Sequence, residues 1–240
     1  MRRTFAILLL AAACRSSDGK PTNTPNASAT APARGGSAPA APAAQAPADS
    51  AREDALLERA DKARIQGDTA APVWIVEISD FQCPYCKQWH DQVYPQIVRE
   101  YVRQGTVRLA YVNFPLGMHQ NALPASEAAM CAAVQDRFWQ MHDTLFSTQT
   151  RWAALQEPLP LYDSLATAIG VQATEWRSCM SSHVMRRLIN ADRTRGLSAG
   201  VNSTPTFFVG DEPIRGAAPM DEFRAAIGRA RAKAAGRTPR

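Results

Sequence analysis

Two cysteines in residues 81–86, "FQCPYC", are the side chains best placed to do chemistry, and they stand three apart where a strand-like run gives way to a helical pattern. Such a pair can be half a zinc site, a structural clip or a redox centre. A structural zinc site needs four ligands, usually from a second Cys-x-x-Cys or a matched histidine pair. No second Cys-x-x-Cys follows, and His90, His119, His142 and His183 lack finger-like spacing, so no metal is expected. A clip that closes so small a loop removes little entropy from the unfolded chain. Redox exchange has a physical basis. Residues i and i+3 of a helix are neighbours, so the two sulfurs can bond or part with little backbone movement. Cys83 falls at the helix start, where free N–H groups and the positive dipole end stabilise a thiolate. Pro84 suits the first turn, where its missing N–H would be unpaired anyway. Cys86, one turn in, is expected to be the buried sulfur. Cys83 is expected to be the exposed thiol of lowered pKa that disulfide exchange requires.

The elements around the pair follow from periodicity. "PVWIVEIS", residues 72–79, is β-branched and largely apolar on both faces, as in a buried strand. From Cys83 onward, Trp89, Val93, Ile97 and Tyr101 recur every four residues on one helix face, and Pro95 is expected to kink that helix. "TVRLAYVNF" places Val107, Leu109, Tyr111 and Asn113 on one face of a second strand. Strand, helix, strand predicts a parallel βαβ unit with the cysteines at the first strand's C-terminal end. "SAREDALLERADKARI" predicts a leading helix. Residues 119–200, punctuated by Pro124, Pro158, Pro160 and Gly170, predict a set of helices, and "TFFV" and "EPIR" flank Gly210-Asp211 as an antiparallel hairpin. Glu77 is the one charge within "VWIVEIS". It is either a solvated edge-strand residue or a buried carboxylate, which is costly unless protonated or partnered.

The chain ends bear on the compartment. "MRR" precedes the apolar run "TFAILLLAAA" and then Cys14. The run is far shorter than the roughly 20 residues that span a bilayer, and it reads as an export signal over residues 1–13. "LAAAC" resembles the bacterial lipobox, with Ala11 where that pattern prefers Leu, and predicts lipidation of Cys14; plain cleavage after Ala13 is the alternative. Residues 15–50 contain no Leu, Ile, Val or aromatic residue, too little apolar surface to offset ordering. Residues 14–50 are therefore expected to be an Ala/Pro-rich tether. The folded unit is then long enough for one domain. Formal charge is +5, with basic residues gathered in "RAAIGRARAKAAGRTPR". There Phe223, Ile227, Ala230 and Ala234 form an apolar stripe, which predicts a docked helix with a solvated basic face rather than a nucleic-acid site. With Cys14 set aside, four cysteines remain, an even number that suggests two disulfides in an exported chain.

"VEISDFQCPYCKQWHDQVYP", followed much later by "GVNSTPTFFVG", resembles the DsbA-like branch of the thioredoxin-fold oxidoreductases over about residues 65–235. The resemblance implies an α/β architecture: a thioredoxin fold in two parts, residues 51–118 and 201–240, with an all-helical subdomain inserted over 119–200. It implies that Cys83 is the nucleophile and Cys86 the resolving thiol, with Pro205 cis and facing the sulfurs. Thr204 would pair by its backbone with an extended substrate, beside Pro84 and Tyr85. Glu77, six residues before the first cysteine, would relay the Cys86 proton. Cys131 and Cys179 would form a permanent disulfide between helices of the insertion. His119 also matches a family position, although capping or packing would explain it equally. The function implied is oxidation of cysteine pairs in reduced or unfolded exported proteins, without metal, nucleotide or flavin. A quinone-linked membrane protein would restore the disulfide. A monomer held to the membrane by lipidated Cys14, in the periplasm or cell envelope, is expected. A reductase or isomerase of the same fold, and a tethered chaperone for unfolded chains, are the alternatives.

Overall fold

A computed structural model describes residues 46–236; the export signal, Cys14 and residues 14–45 of the tether lie outside the described residues. Helix α1 (Ala46–Ala63) begins within the stretch read as tether. Alanine is the strongest helix former, and Pro47 lies in the first turn, where it is tolerated. A two-residue strand β1 (Ile65–Gln66) follows, too short to show a period in the sequence. The remaining strands are β2 (Val73–Ser79), β3 (Val107–Asn113), β4 (Thr206–Val209) and β5 (Glu212–Arg215). They form one mixed sheet in the order β1-β3-β2-β4-β5.

Strand β2 lies at its centre, parallel to β3 and antiparallel to β4, so that Glu77 faces Tyr111 on one side and Phe207 on the other. The edge-strand reading of Glu77 is therefore wrong: the residue is fully buried in the middle of the sheet. The hairpin β4–β5 turns at Gly210-Asp211, with Gly210 at φ 60°, a conformation that glycine adopts without steric cost.

The helix after the cysteines divides into α2 (Pro84–Gln92), α3 (Tyr94–Ile97) and a π-turn over Val98–Val102. Pro95 has no N–H to donate into the preceding turn, and the break falls at Val93, at φ −115°. Trp89, Val93 and Ile97 are nonetheless buried along one face. With Phe207 of β4 and Phe223 of α10 (Met220–Ala235), Trp89 forms an aromatic cluster whose ring centres lie 4.5 and 5.8 Å from its own.

Between β3 and β4 stand six helices: α4 (Ala122–Ala133), α5 (Phe138–Ser147), α6 (Gln149–Trp152), α7 (Leu159–Ala168), α8 (Ala173–Ser182) and α9 (Arg186–Ser198). Small residues let α4 be enclosed: its six alanines at 122, 125, 128, 129, 132 and 133 are buried, and α1, α5, α7, α8 and α9 pack around it. Apart from Ser126 and Glu127 the helix is apolar, and a helix apolar on most of its faces belongs at the centre of its layer.

A charged knot ties this layer to the sheet. Asp192 of α9, fully buried, accepts hydrogen bonds from the Arg64 guanidinium after α1, from Asn113 N and Nδ2 at 3.1 Å, and from Arg195 at 2.7 Å. One turn on, Gly196 meets Phe114, and a Cβ there would lie 2.8 Å from two ring carbons. Among the described residues no helix is long and apolar enough to cross a membrane.

Candidate active site

Cys83 and Cys86 are both free thiols at the C-terminal end of β2. Cys83 is the N-cap of α2, with extended backbone at φ −69° and ψ 125°, and Pro84 opens the helix. Both sulfurs are covered. Cys86 is fully buried, and Cys83 is only 3 % exposed, so the expectation of an open Cys83 thiol is corrected. The cover comes from the loop before β4: Cys83 Sγ lies 3.5 Å from the Thr204 carbonyl, and the Thr204–Pro205 bond is cis. Tyr85, by contrast, stands 62 % exposed beside the pair.

The two thiols are driven apart in acidity. A hydrogen bond from the Cys86 side chain brings the Cys83 thiol down to about 6, against the opposing effect of burial. The backbone N–H groups of Cys86 and Tyr85 add to the lowering, as a helix N-terminus does for an anion. Cys86 moves the other way, well above the ordinary thiol range, chiefly through burial and then through Cys83. Its sulfur receives one backbone N–H, from Asp80, at 3.5 Å.

Beneath the pair runs a chain of buried polar groups. Neither Glu77 oxygen, nor Ser79 Oγ, nor Tyr111 OH has a hydrogen-bond partner. Burial pushes the Glu77 carboxyl up to about 8, with Ser79 and His90 acting in the opposite sense. Ser79 acts on Cys86 in the same lowering sense.

Two pairings escape inspection of the sequence. The histidines do not all stand alone: His90 and His142 have ring centres 5.3 Å apart, and both reach Asp143, at 3.3 and 2.8 Å. His142 is fully buried among aromatic rings, which lowers it to about 4. These hydrogen bonds account for the closeness of the three residues, whose ligand-type atoms lie within 4.8 Å of one another. Asp80, which no periodicity marks out, is fully buried beside the cysteines and bonded to His119 at 2.7 Å.

Cys131 of α4 and Cys179 of α8 are joined, with S–S 2.00 Å and Cα atoms 5.7 Å apart. Cys131 is buried in the core of the inserted layer, and Cys179, partly buried, packs against it.

Comparison with known proteins agrees with this picture. The family model described as Thioredoxin matches residues 59–229. A probable disulfide bond formation protein D of Bacillus anthracis is 28% identical over 148 residues, 60% of this chain and 67% of that protein. Disulfide bond formation protein D of Bacillus subtilis is 25% identical over 170 residues, 68% of this chain and 74% of the relative. Among solved structures, oxidised BdbD of Bacillus subtilis superposes with a TM-score of 0.64 at 24% identity, over 70% of this chain and 93% of that one. The chain belongs to the thioredoxin family, on its DsbA-like thiol:disulfide oxidoreductase branch.

Proposed function

We propose that this enzyme works as an oxidase outside the cytoplasm, making disulfides in exported proteins. The observation that supports the direction is the opposite displacement of the two thiols, Cys83 down to about 6 and Cys86 well up. A stabilised Cys83 thiolate favours the reduced enzyme. Every tenfold gain in its equilibrium constant makes the two-electron couple about 30 mV more oxidising.

A client thiolate attacks Cys83 Sγ, the Cys83–Cys86 bond breaks, and Cys86 leaves as a thiolate that takes up a proton. Glu77 is the proposed donor, since a carboxyl near 8 is mostly protonated at neutral pH. The client's second thiolate then attacks its partner sulfur in the mixed disulfide. Cys83 is released as a thiolate, and the client has given two electrons to the enzyme. Thr204 and Pro205 line the client's path opposite Pro84 and exposed Tyr85. A quinone-linked membrane protein would return the enzyme to the disulfide, and lipidation at Cys14 would keep the monomer near it.

Equilibration with glutathione tests the direction. The expected potential lies above thioredoxin's, about −270 mV. A value at or below that figure would assign the protein to reduction instead. Retention of client handling by the Cys83→Ser, Cys86→Ser double variant would assign it to chaperoning.

A further inference from the structure

The loop of residues 80–83, which leads from β2 into Cys83 and α2, is tied to groups from beyond β3 as well as to itself. Gln149 Nε2 donates to the carbonyls of Phe81 and Cys83, at 2.7 and 3.1 Å. Gln82 accepts from Asn121 N at 2.6 Å and donates to Ala153 O at 2.8 Å. Asp80 is the junction. One carboxylate oxygen accepts the Gln82 N–H at 2.7 Å; the other accepts the Leu116 N–H at 2.9 Å and faces His119 Nδ1 at 2.7 Å. By its backbone the same residue touches both cysteines: its N–H points at Cys86 Sγ, at 3.5 Å, and its carbonyl accepts the Cys83 N–H at 3.1 Å.

A buried carboxylate on the residue whose backbone touches both cysteines is adverse to a thiolate there, since like charges raise each other's cost in a low-dielectric interior. Asp80 is fully buried, and the side chain facing it is His119, itself mostly covered at 17 % side-chain exposure. Whichever charge the imidazole carries, its Nδ1–H presents a positive end to the carboxylate. We propose that His119 is a positioning residue for the redox pair: through Asp80 it fixes the loop that aims N–H groups at the sulfurs and offsets the negative charge Asp80 sets beside them. This inference rests on Cys83–Cys86 being the exchanging pair, but not on the direction of exchange.

The test is ultraviolet titration of the Cys83 thiolate in the reduced protein, together with the equilibrium constant against glutathione. Wild type is compared with His119→Ala, His119→Gln, Asp80→Asn and the Asp80→Asn, His119→Ala double variant. His119→Ala should weaken the thiolate about tenfold, equivalent to a couple about 30 mV less oxidising. Asp80→Asn should shift both readings in the opposite sense, and the double variant should match Asp80→Asn, because the charge that His119 offsets is gone. His119→Gln, which keeps a donor, should recover most of the wild-type value. A thermal loss in His119→Ala with both readings unchanged would make the histidine a packing residue and overturn the inference. So would single variants that move the thiolate the same way. Should His119→Ala fail to fold, an Asp80→Asn protein with an unmoved thiolate overturns it equally. A Cys83→Ser control separates the two levels: if the titrating absorbance survives in it, the assignment of Cys83 itself is at fault.

Discussion

The molecule carries two cysteine pairs under opposite physical regimes. Cys131 and Cys179 sit on facing helices of an apolar layer and are bonded. Cys83 and Cys86 sit in one turn at a helix N-terminus, are free, and have thiol acidities displaced in opposite directions. Cys83, Cys86 and Cys131 are buried and Cys179 is partly so, so burial alone does not decide the fate of a thiol. The difference is made by what points at the sulfur. Backbone N–H groups and a neighbouring thiol act on Cys83 and Cys86, whereas Cys131 and Cys179 are bonded to each other between an apolar core and a surface cavity. Exchange needs a thiolate that is stable and still reactive; a structural bond needs only to shorten the unfolded chain's freedom.

The comparison can be broken most sharply at Cys83. Cys83→Ser should abolish client turnover and trap almost no mixed disulfide, whereas Cys86→Ser should accumulate clients on Cys83, read on non-reducing gels. Equal trapping by both variants would remove the asymmetry between the two sulfurs.

The second pair should respond in stability alone. Replacing Cys131 and Cys179 by alanine opens a loop of 48 residues, and denaturant titration should show a loss of roughly 4 kcal/mol. Turnover below the unfolding range should change little. Under graded reduction with alkylation, Cys83–Cys86 should open first; joint opening would place all four sulfurs in one electron path.

Glu77 sharpens the contrast by its pH dependence. Its folded value is raised to about 8 from 4.5, so the folded state holds a proton that the unfolded state has lost. The resulting cost is absent below the unfolded value, grows as pH rises from 4.5 towards 8, and is constant above. Glu77→Gln should therefore stabilise the protein by roughly 3 kcal/mol at neutral pH and by little near pH 4.5. Its disulfide exchange should slow in the same variant. A stability gain that did not vary with pH would mean the carboxyl stays charged in the fold.

Much of this was legible along the chain, because it is local. The strand before the cysteines, the helix after them, the break at Pro95 and the Gly210-Asp211 turn each rest on spacing or backbone chemistry within a few residues. The cis bond at Pro205 and the bond between Cys131 and Cys179 came only with the family resemblance. What escaped notice is what the fold brings together from afar. Asp80 and His119 are 39 residues apart, and Gln149 reaches back 66 residues to the Cys83 carbonyl. Such pairings leave no period. The cover over Cys83 leaves no local mark for the same reason: the segment that supplies it, at Thr204, arrives 121 residues later.

The Asp192 knot has a consequence for how clients are met. Arg64, Asn113 and Asp192 join the leading helix, the sheet and the last helix of the inserted layer through one buried carboxylate, and Gly196 seats that helix directly on Phe114. Removing one partner of a buried pair leaves an uncompensated charge and costs about 3–5 kcal/mol, so this seam is held by more than apolar contact. At that seam the two layers therefore do not swing as a jaw. A cysteine that reaches Cys83, itself only 3 % exposed, is therefore expected to enter by movement of the Thr204 loop that covers it rather than by parting of the layers.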